Sequence, residues 1–178
     1  NLDYVVWYNG TPQFILQQKN ARVLSESELK LLKCTWTDLA TTRFSGRIAP
    51  VDSFHDISGH CFYPESVYSQ YFLLALVNTR VFQLLIDLLN SSLHYQVGDV
   101  ARIPILGFDN RKDVERLSKQ CVDLSKTDWD SFETSWDFKS HPLISVIAQN
   151  RVLFDDTTDI DLAECYTCWE HECNERFN

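Results

Sequence analysis

Between Thr35 and Arg47, five hydroxyl side chains (Thr35, Thr37, Thr41, Thr42 and Ser45) interleave with two guanidinium groups, Arg43 and Arg47. Short hydroxyls and cations bind phosphate oxygens, and an arginine fork matches the two acceptors of guanine in the major groove. This stretch therefore carries the side chains needed to grip duplex DNA. Trp36 and Phe44 are apolar anchors that can hold such a loop in shape. The same residues also suit a β-turn whose arginines are satisfied internally, for instance Arg47 by Asp56, and residue types alone do not choose between the two. Lys33 and Arg80 are further candidate phosphate partners. Arg80 follows Asn78-Thr79 between two helical patterns, where a helix N-terminus can meet a phosphate.

Other constellations carry less. Cys165, Cys168, His171 and Cys173 are the residue types of a zinc site, yet they fall within nine residues of one helical pattern. A closed zinc site usually draws on two separated ligand pairs held by turns, so the group reads as helix packing. His55-Asp56 and His60 flank Ser58-Gly59. A His/Asp pair can serve as a general base, but no nucleophile or oxyanion donor accompanies it, and turn histidines satisfied by backbone groups are the simpler reading. The five glycines, at 10, 46, 59, 98 and 107, never cluster into a phosphate-cradling loop. No catalytic, metal or cofactor site is expected in these 178 residues.

Charge bears on partners. The formal net charge is −9, and an acidic total argues against phosphate binding. Its distribution is uneven: residues 1–50 hold six basic and four acidic residues, and residues 51–178 hold ten basic and 21 acidic. Acids on the far side of a domain are screened over a Debye length of ~8 Å at physiological salt, so a mildly basic N-terminal edge could still face DNA. The longest uninterrupted apolar run, Phe72–Val77, is far short of the roughly 18 residues of a membrane span. Of six cysteines, half sit among long helical patterns, which suggests reduced thiols and a soluble, cytoplasmic protein. With no initiator methionine and no secretion signal, the chain reads as a piece of something longer.

The elements that must position these groups follow from periodicity. A strand is expected over Asp3–Tyr8, then a short helix over Glu26–Lys33 behind the capping box Ser25-Glu26-Ser27-Glu28. Strands joined by a turn at Ala40–Thr42 fill Cys34–Pro50, and a strand pair around Ser58-Gly59 fills Phe54–Tyr63. Two helices follow, broken at Asn78-Thr79. Tyr68, Phe72, Ala75 and Leu76 form the inner face of the first, and Val81, Leu84, Leu85, Leu88 and Leu89 that of the second. His94–Ile105 reads as extended chain bent at Gly98. Next come a helix over Lys112–Lys126 with Val114, Leu117, Cys121 and Leu124 inward, and a short helix bearing Trp129, Phe132 and Trp136. A final acidic helix, Asp159–Phe177, carries Leu162, Tyr166, Trp169 and Phe177 on one side. Early strands and later helices indicate an α+β fold, a mixed or antiparallel sheet from the N-terminal part packed with helices from the C-terminal part.

Several stretches taken in order resemble a known family. Thr35–Pro50 (TWTDLATTRFSGRIAP), Phe54–Phe62 (FHDISGHCF), Leu73–Asn90 (LLALVNTRVFQLLIDLLN), His94–Ile105 (HYQVGDVARIPI) and Asp128–Leu143 (DWDSFETSWDFKSHPL) are similar to segments that follow the catalytic domain in large adenine-specific DNA methyltransferases of the PglX kind. That family belongs to BREX phage-defence systems and is related to combined restriction-modification methylases. The resemblance implies a target-recognition domain like that of Taq I-type methylases over residues 1–142, with residues 143–178 starting a truncated C-terminal helical segment. It implies double-stranded DNA as partner; by residue type, Thr41, Thr42, Arg43, Ser45 and Arg47 are the expected contacts, with Lys33 and Arg80 as further phosphate partners. The catalytic domain of the same parent chain and other phage-defence proteins are further implied partners. S-adenosylmethionine would be the cofactor of the parent enzyme and none would bind in this fragment, since its Asn-Pro-Pro-Tyr/Phe tetrad and glycine-containing cofactor motif are absent here. A different reading is a non-catalytic interaction module docking through Trp129, Phe132, Trp136 and the helix of Trp169.

Overall fold

The structure is a computed structural model that describes residues 15–17, 25–55, 58–63, 68–105, 109–145, 147 and 161–176. The expected strand at Asp3–Tyr8 lies outside these residues, as do Asp56 and Phe177.

The fold is α+β, as expected. Strands β1 (Lys33–Trp36), β2 (Gly46–Ala49) and β3 (Cys61–Phe62) form an antiparallel sheet in the order β2-β1-β3. The register pairs Trp36 with Gly46, Thr35 with Arg47 and Cys61, and Cys34 with Ile48 and Phe62. Alternation along β1 sends Cys34 and Trp36 to one face, where they are buried. Around Trp36 gather Phe44, Val77, Phe82, Ile86, Tyr95 and Ile103 as one core. Its aromatic rings are tilted or edge-on: Trp36 with Phe44 at 5.7 Å, Phe44 with Phe82 at 5.1 Å, and Phe44 with Tyr95 at 5.4 Å. Such pairs add to the area they bury. The Trp36 indole donates to the Tyr95 carbonyl at 2.8 Å, so its buried N–H is satisfied.

The capping box acts as its sequence suggests: Glu28 N–H donates to Ser25 Oγ and Ser25 N–H to the Glu28 carboxylate. The helix it opens, α1 (Glu26–Leu29), is only one turn. Lys33 belongs to β1 rather than to this helix, because the alternation at Cys34 and Trp36 already recruits the chain into the sheet.

Helices α2 (Gln70–Val77) and α3 (Arg80–Leu89) break at Asn78-Thr79 as expected. Ser69 caps α2 and Thr79 caps α3, each side chain accepting the N–H three residues on. The inward face of α3 differs from the expected one. Phe82 and Ile86 are buried, while Val81 (66%), Leu84 (61%) and Leu88 (75%) are exposed. The helix is apolar on two adjacent stripes, and the larger Phe82 ring, seated on Phe44, turns it. The segment expected as extended chain contains a short helix, α4 (Val97–Ala101), with Gly98 inside it rather than at a bend. Phe54–Tyr63 contributes β3 alone among the described residues.

Helix α5 (Arg111–Trp129) is longer at both ends than the pattern indicated, and Leu117, Cys121 and Leu124 of its expected inner stripe are exposed. Residues 130–137 form successive turns rather than a helix, leaving Trp136 exposed. The last helix, α6 (Leu162–Arg176), is capped by Asp161, whose carboxylate accepts the Ala163 N–H at 2.9 Å. The chain divides into two compact units, residues 1–118 and 119–178. No single helix among the described residues is long and apolar enough to cross a membrane.

Candidate nucleic-acid interface

The hydroxyl and arginine stretch lies on the connection from β1 to β2, and both ends of that connection are fastened. At its start, Leu39 forms an antiparallel bridge with His94, the Ala40 N–H donates to the Leu93 carbonyl (3.1 Å), and the Tyr95 N–H donates to the Asp38 carbonyl (2.7 Å). The Asp38 carboxylate accepts from His94 Nδ1 at 2.8 Å and from Gln96 Nε2 at 2.9 Å, with His60 Nε2 at 3.5 Å. The hydrogen bond from His94 is the main reason that the Asp38 carboxyl is held below the usual carboxylate range.

At the other end, Phe44 drops into the core and its N–H donates to Gln83 Oε1 of α3 at 2.8 Å. Two residues on, Asn78 closes a reciprocal pair with Gly46. Its Oδ1 accepts the Gly46 N–H at 3.1 Å, and its Nδ2 donates to the Gly46 carbonyl at 3.0 Å and to the Leu74 carbonyl at 2.9 Å. The close approach requires glycine, since a Cβ at position 46 would stand 2.6 Å from Val77 Cγ2.

Between these anchors only Thr41, Thr42 and Arg43 project freely, and all three are exposed. Ser45 and Arg47 are exposed beside the Gly46–Asn78 pair, and exposed Arg80 lies two residues beyond Asn78. The fold thus sets the Ser45–Arg47 segment beside Asn78, two residues before Arg80, although more than thirty residues separate them in sequence. Arg43 and Arg80 make no hydrogen bond or ion pair among the described residues, whereas Arg47 donates to Thr37 Oγ1 at 3.1 Å. No acidic residue occurs between Asp38 and Asp52.

Lys33 is a correction. It is 0% exposed, and its Nζ is buried without a hydrogen-bond partner, so it does not reach an external phosphate from this position. Burial, the dominant cause, lowers its pKa, against opposing influences from Cys61 and Asp52. Residue type marked it for the surface, whereas membership of β1 put it inside the fold.

Sequence reasoning missed Asp38, Asn78, Gln83, His94 and Gln96, the polar side chains that hold the loop. Asn78 stood out only as a helix break. His60 lies against the Trp36 ring (5.5 Å) and near Asp38, and His55 lies 3.4 Å from Cys61 Sγ. No three His, Cys, Asp or Glu side chains among the described residues converge as a metal ion would need. All six cysteines are free thiols. Gly46 packs on α2 and Gly98 lies within α4.

Charge follows the two units. Residues 1–118 hold eleven basic and twelve acidic residues, and residues 119–178 hold five basic and thirteen acidic. The unit that carries the loop is close to neutral, and most of the negative excess resides in the other.

No family model matches the chain. It is similar to the adenine-specific methyltransferase BrxX of Escherichia coli O9:H4 (strain HS), with 34% identity over 147 residues. The adenine-specific methyltransferase PglX of Lacticaseibacillus casei (strain Zhang) is 26% identical over 144 residues. Each alignment covers 81% of this chain but only 12% of BrxX and 11% of PglX. The chain is therefore related to one stretch of these much longer methyltransferases.

Proposed function

We propose that this chain is the DNA-reading segment of a longer adenine-specific DNA methyltransferase, within a phage-defence system of the BREX kind and acting in the cytoplasm. Residues 1–142 form its recognition domain. Methyl transfer from S-adenosylmethionine belongs to a catalytic domain elsewhere in the parent, and this segment holds and reads the duplex. The observation that carries the reading is the loop fastened at both ends, with Arg43 exposed and unpaired at its tip and Ser45 and Arg47 exposed on its returning arm. A rigid base lowers the ordering cost of binding, and a free guanidinium can pair with phosphate or guanine without first breaking an internal bond. The relation to adenine-specific methyltransferases supports DNA as the ligand, and the near-neutral unit that carries the loop limits repulsion from phosphates.

Titration of labelled duplex DNA at several salt concentrations tests this. Binding should weaken with salt along a negative log–log slope. Where Arg43 reads a base, Arg43→Ala should lose about 1–3 kcal/mol at a single position. Where Arg43 binds phosphate, affinity should fall for every sequence and the slope should shrink by about one. Equal affinity of Arg43→Ala and the parent protein would remove Arg43 from the interface, and absence of salt-dependent binding would reject the reading altogether.

A further inference from the structure

We infer that Gln83 and Asn78 are positioning residues of the recognition loop, acting on its sequence preference more than on its overall affinity. The inference rests on the DNA-reading role proposed above and names the parts of the fold that set the loop's direction.

The geometry is that of two side-chain amides reaching out from the α2–α3 region to the returning arm of the loop. Asn78 makes three hydrogen bonds, accepting from Gly46 N–H and donating both amide hydrogens, to the carbonyls of Gly46 and Leu74. Gln83 accepts the Phe44 N–H at 2.8 Å and donates from Nε2 to Asp87 at 2.7 Å. Asp87 decides which way round the Gln83 amide sits: with Nε2 on the carboxylate, Oε1 must face Phe44, and the flipped amide would set a donor against a donor. Asp87, Gln83 and the Phe44 backbone thus form a relay that ends one residue from Arg43. On the other side of Ser45, Asn78 holds the residue before Arg47. Arg43, Ser45 and Arg47, the exposed side chains of this arm, each leave the backbone one residue from an amide-held peptide.

Direct reading of a base demands such support. A bidentate arginine–guanine pair needs both nitrogens in place, and a loop free to swing would keep its charge attraction to phosphates while losing base discrimination. Phe44 alone does not supply the constraint, because a ring anchored in the core still allows its peptide plane to rotate.

The test uses the full 178-residue chain and a pool of duplex DNA randomised at its central positions. Bound molecules are sequenced, and total binding is measured against salt. The parent protein should enrich a motif. Gln83→Met, which removes the acceptor and keeps the bulk, should retain its melting transition and salt slope but lose about tenfold or more in preference for that motif. Gln83→Glu keeps an acceptor for Phe44 but sets a second carboxylate against Asp87, and should also lose preference. Combining Gln83→Glu with Asp87→Asn restores a donor and acceptor at that contact and should recover the motif, a rescue that mere loss of packing would not produce. Asn78→Asp, which keeps the acceptor and loses both donors, should behave as Gln83→Met does.

Unchanged enrichment in Gln83→Met overturns the inference, as does equal preference in Gln83→Glu and the double variant. Loss of the folded state in Gln83→Met also overturns it, since Gln83 would then serve stability. A parent protein that binds the pool without enriching any motif, or does not bind, removes the DNA-reading role itself. That result is visible before any variant is made.

Discussion

Gly46→Ala probes how firmly the recognition arm is seated. The added Cβ would lie 2.6 Å from Val77 Cγ2, about 1 Å inside ordinary carbon–carbon contact. Val77 cannot swing aside cheaply, because a β-branched side chain within a helix has one strongly favoured χ1 and this one is buried in the aromatic core. Nor can β2 retreat without stretching the Gly46–Asn78 pair and the pairing of Gly46 with Trp36. Forcing a methyl group into a packed interior costs about 1–3 kcal/mol, and weakening one or two neutral hydrogen bonds brings the expected destabilisation to about 2–4 kcal/mol. Urea unfolding followed by tryptophan fluorescence measures it, with buried Trp36 reporting on the affected core. Val77→Ala alone should cost about 1.5 kcal/mol or more. In the Gly46→Ala background it opens the space that the new methyl needs, so the double variant should cost at least ~1 kcal/mol less than the two singles together. Additive losses, or a Gly46→Ala variant within about 0.5 kcal/mol of the parent, would refute the claim that β2 rests directly on Val77.

Lys33→Met should stabilise the protein by ~1–3 kcal/mol at neutral pH, because it removes a buried ammonium that has no hydrogen-bond partner. The folded pKa of Lys33 is lowered, so the penalty is complete below that pKa and fades as pH rises toward the ordinary lysine value. The gain in melting temperature should therefore shrink in alkaline buffer, and a constant gain would contradict the assignment. Asp38 is the opposite case: its folded pKa is lowered, so its contribution is present above the unfolded value of about 4 and is lost as pH falls through the folded one. Urea midpoints between neutral and strongly acidic pH should fall more steeply for the parent than for Asp38→Asn, and parallel curves would remove the His94–Asp38 contact from the account. Burial pushes the Cys34 thiol up to about 12. Native alkylation read by mass spectrometry should therefore label exposed Cys121 and Cys168 well before Cys34. Equal labelling would show that β1 opens readily.

Much of the local architecture was legible in the residues. Ser25 and Glu28 announce a helix start through a reciprocal hydrogen-bonding pattern that spans only three residues, and Asn78-Thr79 announces a break because Asn ends helices and Thr begins them. The exposure of Thr41, Thr42, Arg43, Ser45, Arg47 and Arg80 was legible too, as polar groups mostly keep their water. Other features were not. Helix α3 offers Val81, Leu84 and Leu88 on one stripe and Phe82 and Ile86 on the next, and periodicity cannot tell which of two apolar stripes will meet a partner. Lys33 looked like a surface cation because its burial depends on the sheet around it.

The amino-acid order by itself determined the capping box at Ser25 and Glu28, the helix break at Asn78-Thr79, and which side chains are suited to holding a phosphate or a base. Those properties arise from neighbours a few residues apart. Only the tertiary structure decided that Gln83 holds Phe44 and Asn78 holds Gly46 across separations of 39 and 32 residues. Such contacts depend on how a sheet edge and a helix junction pack, a relation between surfaces that exist only once the chain has folded.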